Sequence, residues 1–296
     1  MADQQTFDDR DGTIWFDGKM VPWRDANVHV LTHGLHYASS VFEGQRAYGG
    51  TIFKLTEHTE RLKRSANLLG FEIPWSVEQI DAACKEVLEA SGLSNAYMRP
   101  VAWRGSEQMG VSPKGSKPHL AIACWEWGKY FDPALAARGI RMEIAPWRRP
   151  APYTAPTESK AAGLYMICTL SKGHAEDHGY HDALMLDWRG QVAEATGANA
   201  FFIRDNVIHT PTPDCFLDGI TRRTVMDLAR QRGVEIVERA IWPEELESFQ
   251  QMFLTGTAAE VTHVGEVGPW KFEVGDLSRQ LAKDYDDLVN GRLANA

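Results

Sequence analysis

A chain of 296 residues, 44% hydrophobic and 24% charged, has enough apolar material for one large or two medium globular cores. Its formal charge of −9 argues against nucleic acid and anionic membranes as partners. No apolar run reaches the length of a membrane span, and the Met-Ala-Asp-Gln-Gln start lacks the charge and apolar core of a signal peptide, so a cytoplasmic location is expected.

The first elements are short. Thr13–Phe16 and Lys19–Val21, joined at Asp17-Gly18, predict a hairpin, and Asn27–Leu31 has the pattern of a further strand. A segment dense in His, Tyr and small residues follows, Thr32–Gly44, and then a strand and turn from Arg46 to Phe53 with its bend at Gly49-Gly50. Thr56 is the expected cap of a helix whose face is Leu62, Ala66 and Leu69 and which ends at Gly70. Ser76-Val-Glu-Gln79 is a capping-box pattern opening a second helix with Ile80, Ala83, Val87 and Leu88 inward and Gly92 at its exit. Strands at Ala96–Trp103 and His119–Trp125 complete a first domain, residues 1–127.

Residues 128–138 read as a connection and 139–296 as a second domain. There a strand at Ile140–Ala145 precedes Arg148–Thr157, whose three prolines and lack of periodicity suit a loop. A helix, a strand, a turn at Trp188–Gly190 and another strand lead to Glu194-Ala-Thr-Gly-Ala-Asn199. The Phe201–Ile208 hairpin turns at Asp205-Asn206, and Leu217–Arg223 opens a helix that runs to Gly233. A strand at Val234–Val237, a helix begun by Pro243, the Phe253–Val261 segment and a polar helix over about 276–290 finish the chain.

Chemistry enters at Glu158-Ser-Lys160-Ala-Ala-Gly-Leu-Tyr165. Lys160 sits among small and apolar neighbours, with no carboxylate at helical spacing on its C-terminal side. An amine that loses hydration favours its neutral form, the form that Schiff-base chemistry with a carbonyl requires. The bland alternative is a lysine that snorkels to water. Gly219-Ile-Thr-Arg222 at a helix start and Thr255-Gly-Thr-Ala-Ala259 at a turn both offer amides and hydroxyls to an anion, although each could be a simple cap or turn. Glu194, at a strand end, needs a cationic partner or donors if buried. Alternatively it could hold a proton on a heterocyclic nitrogen. His174, His178 and His181 are a further candidate group, and the first two have the i, i+4 spacing that zinc sites use, but Ala-Glu-Asp between them and Gly-Tyr after them read as a solvated helix end, and no metal is expected. Four scattered cysteines (Cys84, Cys124, Cys168, Cys215) form no Cys-x-x-Cys pair and suit buried free thiols.

Eight blocks in order carry a resemblance: His36–Gly44, Arg61-Leu62, Ala96–Arg99, Met109–Pro113, Lys160–Tyr165, Glu194–Asn199, Gly219–Arg222 and Gly256–Val261. Together, from about Ile14 to Val264, they resemble a branched-chain amino-acid aminotransferase of the fold-type IV pyridoxal phosphate class. The resemblance implies an α/β (α+β) fold of two domains, the smaller N-terminal and the larger built on a β-barrel-like core. The implied cofactor is pyridoxal 5′-phosphate, bound covalently by the catalytic Lys160. Lys160 would also move the proton between substrate Cα and cofactor C4′. Glu194 would keep the pyridine nitrogen protonated, oriented by Asn199, while Tyr165 bonds the phenolic oxygen and Leu217 packs on the ring. Arg61 and the groups around Gly219, Ile220, Thr221, Gly256 and Thr257 would hold the phosphate.

For the substrate, the resemblance implies Tyr97 and the Thr257–Ala259 turn at the α-carboxylate. Tyr37, Phe42, Trp127 and Tyr130 would wall an apolar pocket, with Arg99 at the distal carboxylate of glutamate. Branched-chain L-amino acids and 2-oxo acids would be the small-molecule partners. The Met109 loop would approach a neighbouring subunit's site, implying a homodimer, possibly a trimer of dimers. Asp218 stands where some relatives carry Pro or Asn, and Gln45 and the Arg104–Gln108 loop are places where substrate range could shift. A D-amino-acid or (R)-amine transaminase, or an aminodeoxychorismate lyase, is the alternative within the fold, and Tyr97-Met-Arg99 favours the branched-chain type. A non-catalytic anion-binding protein is the alternative outside it.

Overall fold

A computed structural model describes residues 6–128 and 132–293. The chain forms two compact units, one comprising residues 1–127 with 159–163, the other 128–158 with 164–296.

In the first unit, β1 (Thr13–Phe16) and β2 (Lys19–Pro22) form the predicted hairpin. A short helix α1 (His33–Tyr37) leads through β3 (Ser40–Phe42) to β4 (Gln45–Tyr48) and β5 (Thr51–Ile52). Helices α2 (Leu55–Leu68) and α3 (Val77–Ser91) precede the long pair β6 (Ala96–Arg104) and β7 (Pro118–Glu126). The seven strands make one antiparallel sheet, ordered β2-β1-β7-β6-β4-β5, with β3 also on β6. Leu62 and Ala66 of α2 and Ile80 and Val87 of α3 are buried with Met98 and Ile122 of the sheet in one core. The inward positions of both helices therefore follow the predicted periodicity. Ser76 and Gln79 form the reciprocal capping box.

Two expectations fail here. Asn27–Leu31 is not a strand: Val28, Val30 and Leu31 are exposed, and the backbone closes on itself, with Thr32 N–H donating to His29 O at 2.9 Å. Thr56 does not cap α2. The helix starts from Lys54 in a left-handed conformation, and the Thr56 hydroxyl instead donates to Asp81 of α3 at 2.6 Å.

The second unit begins with α4 (Pro133–Arg138), so the expected connection contains a helix. Strand β8 (Ile140–Ile144), helix α5 (Tyr165–Asp177), β9 (Asp182–Leu186), β10 (Val192–Ala195), β11 (Asn199–Arg204) and β12 (Val207–Thr210) follow. After them come α6 (Ile220–Gln231), β13 (Ile236–Glu238), a 3₁₀ turn at Pro243–Ser248 in place of the expected helix, β14 (Gln251–Gly256), β15 (Glu260–Val267), β16 (Trp270–Lys271) and α7 (Asp276–Val289). Phe253–Val261 is thus the inner part of a hairpin. Six strands pair in a ring, β8-β9-β10-β11-β14-β15 and back to β8, so the sheet closes into a barrel. Closure leaves these strands no free edge. Ile140, Leu184, Ala195, Phe202, Leu254 and Val264, one from each strand, are buried in a common cluster. The β11–β12 turn places Asp205 (φ 53°) and Asn206 (φ 60°) in left-handed conformations, as a two-residue hairpin turn demands. Among the described residues no helix is long and apolar enough to cross a membrane, and all four cysteines are free and buried.

Candidate active site

Lys160 belongs to the first unit, on a short segment, 159–163, whose flanking stretches of chain belong to the second. The strand-like segment that carries it is pinned on both sides. Ser159 Oγ donates to Ser65 O at 2.9 Å, Lys160 N–H donates to Ser65 Oγ at 3.0 Å, and Phe42 N–H donates to Lys160 O at 3.2 Å. Two small serines let this backbone approach α2 closely. The amine lies 5.0 Å over the Phe42 ring. Burial, reinforced by the charge of Arg61, lowers its pKa to about 8 against the opposing pull of Glu43.

Arg61 is held in turn. Its Nε and Nη2 donate to the two oxygens of Glu43 at 2.7 and 2.9 Å, a bidentate pair with both side chains buried. His58, one helical turn before Arg61, contacts the same carboxylate through Nδ1 at 2.7 Å. Burial opposes ionisation of Glu43, but the Arg61 charge outweighs it and holds the carboxyl well below the usual range. Burial pushes His58 down, so its imidazole is neutral and Nδ1–H donates to the carboxylate.

Tyr97 and Arg99 share a face of β6, two residues apart, and Arg99 Nη2 donates to the Tyr97 hydroxyl at 3.2 Å. The Arg99 guanidinium lies 4.6 Å over Phe42, and the Tyr97 ring lies 4.9 Å from Trp127. Gly44 makes this possible, because a side chain there would overlap the Tyr97 hydroxyl. Arg99 Nε is buried without a hydrogen-bond partner among the described residues. Phe42, Arg61, Tyr97, Arg99, Trp127 and Lys160 therefore come together. Tyr37 instead packs on His33, ring centres 4.7 Å apart, and is half exposed. Tyr130 lies outside the described residues.

The second unit, taken by itself, carries an acid and an uncapped helix start. Glu194 and Asn199 are cross-strand partners on β10 and β11. Asn199 Nδ2 donates to Leu217 O at 2.9 Å and approaches Glu194 at 3.4 Å. Glu194 is partly buried, and its cationic partner is Arg149, at 3.5 Å, delivered by the proline-rich loop. Tyr165 at the head of α5 lies close enough to act on the charge of Arg149. Helix α6 starts at Gly219 with no side-chain cap and no acid in its first turn, so its leading amides and the buried Thr221 suit an anion. A side chain at Gly219 would overlap Asn199 Oδ1. Beside it, β14 sets Thr255 opposite Asn199, and Thr255 Oγ1 is buried without a partner among the described residues. Gly256, Thr257, Ala258 and Ala259 carry the chain from β14 into β15.

Glu43, His58 and Arg149 were not singled out from the sequence. His58 and Arg61 at i, i+3 on one helix face were a usable signal for the first two.

Residues 40–267 match the family described as amino-transferase class IV, a stretch that takes in every residue just described from Phe42 to Ala259. The chain belongs to that family. It is 42% identical over 291 residues to a branched-chain-amino-acid aminotransferase of Pseudomonas aeruginosa, covering 96% of this chain and 95% of that one. The solved branched-chain amino acid aminotransferase of Escherichia coli superposes with a TM-score of 0.93 at 35% identity, covering 97% of each chain. That of Thermobaculum terrenum, solved in its PLP-form, superposes with a TM-score of 0.88 at 28% identity over 95% of each.

Proposed function

We propose that this chain is a pyridoxal 5′-phosphate-dependent transaminase that moves the amino group of Leu, Ile or Val to 2-oxoglutarate, giving the branched-chain 2-oxo acid and L-glutamate. The observation that carries it is the pinned, desolvated amine of Lys160 beside Arg61. The names of the relatives, and the PLP-form in which one of them was solved, support the same reading. The residues present also fit the cofactor: a nucleophilic amine, an uncapped helix start for a dianion and the partnerless hydroxyl of Thr255 are the donors a phosphorylated aldehyde calls for.

Pyridoxal 5′-phosphate supplies an aldehyde and a ring that accepts electrons from the substrate's Cα. In this reading Lys160 would hold that aldehyde through its neutral amine and would carry the proton at the substrate's Cα. Glu194 holds the proton at the pyridine nitrogen, kept in orientation by Asn199, with Leu217 against the ring and Tyr165 at its phenolic oxygen. Arg61, fixed by Glu43, and the amides of Gly219, Ile220, Thr221, Gly256 and Thr257 hold the phosphate. Tyr97 and the Thr257-Ala258-Ala259 turn bind the α-carboxylate. Phe42 and Trp127 wall the apolar side chain, and Arg99 with its partnerless Nε takes the second carboxylate of glutamate. Pairing that tail is what lets an apolar pocket accept it. We further propose a cytoplasmic homodimer of domains 1–127 and 139–296 joined by 128–138.

Assaying L-leucine, D-alanine and an (R)-amine side by side against 2-oxoglutarate tests the reading. Turnover of L-leucine, lost in Lys160→Ala, is expected; activity confined to the other two donors would overturn it.

A further inference from the structure

On the outer side of the barrel, away from the residues of the preceding sections, Glu143 of β8 faces the last turn of α5. Its carboxylate receives both histidines of that turn: His174 Nδ1 lies 2.5 Å from Oε1 and His178 Nδ1 3.3 Å from Oε2. The two imidazole rings are 4.1 Å apart. One ligand atom from each of the three side chains falls within 4.8 Å of the other two.

We propose that Glu143, His174 and His178 form a binding site for a divalent transition-metal ion of the zinc class. Two imidazole nitrogens and one carboxylate oxygen are a zinc donor set, with bonds of about 2.0–2.2 Å. In tetrahedral geometry such bonds set donors roughly 3.3–3.5 Å apart, within reach of small side-chain rotations here. His-x-x-x-His on one helix face supplies two ligands from a rigid element, and the paired strand β8 supplies the third. An ordinary ion pair at a helix C-terminus needs one imidazole. Here both turn the same nitrogen to one carboxylate, as donors sharing an ion do. The histidines are half exposed and Glu143 is mostly buried, so a water completes the sphere on the solvent side. His181 is not among the ligand atoms that converge here, and its Nδ1 accepts the Arg141 N–H at 3.0 Å.

A second group of potential ligands shows the contrast. Asp187, Asp214 and Cys215 also converge, but Arg189 already occupies that site, with Nε 2.7 Å from Asp187 and Nη2 2.7 Å from Asp214. No arginine or lysine stands between Glu143 and its two histidines among the bonds described. A bound ion would clip the end of α5 to β8, a link of 31 residues along the chain between Glu143 and His174.

The test uses untagged holoenzyme stripped with chelator. Calorimetric titration with Zn²⁺ is expected to show one ion per chain, Co²⁺ to develop visible ligand-field absorption, and Zn²⁺ to raise the melting temperature. His174→Ala/His178→Ala is expected to abolish all three while metal-free turnover stays at the wild-type level, which shows the fold intact. Glu143→Gln keeps both imidazoles and is expected to weaken Zn²⁺ at least about tenfold. Absence of binding by the wild-type chain, or heat and Co²⁺ absorption that persist unchanged in the double variant, would overturn the proposal and leave an ion pair at a helix end.

Discussion

A lysine becomes reactive when its surroundings are fixed, and at Lys160 they are fixed by groups of very different size. Its pKa of about 8 has a direct kinetic consequence. Below that value the amine of the cofactor-free protein is protonated and cannot attack an aldehyde; above it the amine is free. Uptake of pyridoxal 5′-phosphate, followed by its bound absorbance, is therefore expected to accelerate as pH rises from about 7 to 9 and then level off. An uptake rate flat across that range would refute the assignment. Gly44 gives the second residue-scale prediction. Gly44→Ala pushes the Tyr97 hydroxyl out of place and with it the partner of Arg99. Misplacement on the scale of an ångström costs on the order of a hundredfold in kcat/KM, so the variant should bind cofactor normally yet turn over poorly. Equal kcat/KM in the two proteins would show that Tyr97 does not position substrate. The small neighbours of Lys160 made it visible in the sequence, whereas Glu43 was marked only indirectly, by the spacing of His58 and Arg61 on α2. A carboxylate between Phe42 and Gly44 acquires its role only when α2 brings Arg61 and His58 across it.

Elements whose signal is local could be read directly. The box at Ser76 and Gln79 is complete within four residues, and Ser76→Ala should lower stability by about 1 kcal/mol, measured by denaturant unfolding. The turn at Asp205-Asn206 was equally plain. Asn27–Leu31 misled because alternating apolar residues imply a strand only where a partner edge exists, and here the apolar groups face outward. Contacts between distant elements stay hidden in a single sequence, and His119 of β7 illustrates one. It stacks on Trp103 and meets Asp17 through Nδ1 at 2.5 Å and Glu107 through Nε2 at 3.0 Å. Burial disfavours the imidazolium, but the hydrogen bonds to Asp17 and Glu107 outweigh it and raise the pKa above the ordinary histidine value. A raised folded-state pKa stabilises below the unfolded value, near 6.5, and that contribution fades as pH climbs through the folded value. His119→Gln should consequently lower the melting temperature more at pH 6 than at pH 9; the opposite order would exclude a charged His119.

At the scale of the molecule, class and cofactor chemistry were legible because eight blocks in a fixed order are far more specific than any one of them. The barrel was legible only through that resemblance, since ring closure is a property of pairings and not of any strand. The first unit also carries a groove of about 400 Å³ lined by Ile14, Phe16, Val28, Leu35, Val101 and Trp103. Apolar surface of this kind, continued by exposed Val30 and Leu31, suits a second copy of the chain. Sedimentation should find a dimer, and Val28→Asp/Leu35→Lys should shift it toward monomer; a wild-type monomer would remove the proposed assembly.

The excursion of residues 159–163 into the first unit means that the gene cannot be split where the protein divides. A fragment ending at Trp127 would forfeit both Lys160 and the carbonyl that receives Phe42 N–H, whereas the remainder would carry that lysine on a stretch deprived of Ser65. A cut at the boundary in the sequence would therefore part Ser159 and Lys160 from the serine of α2 that holds them.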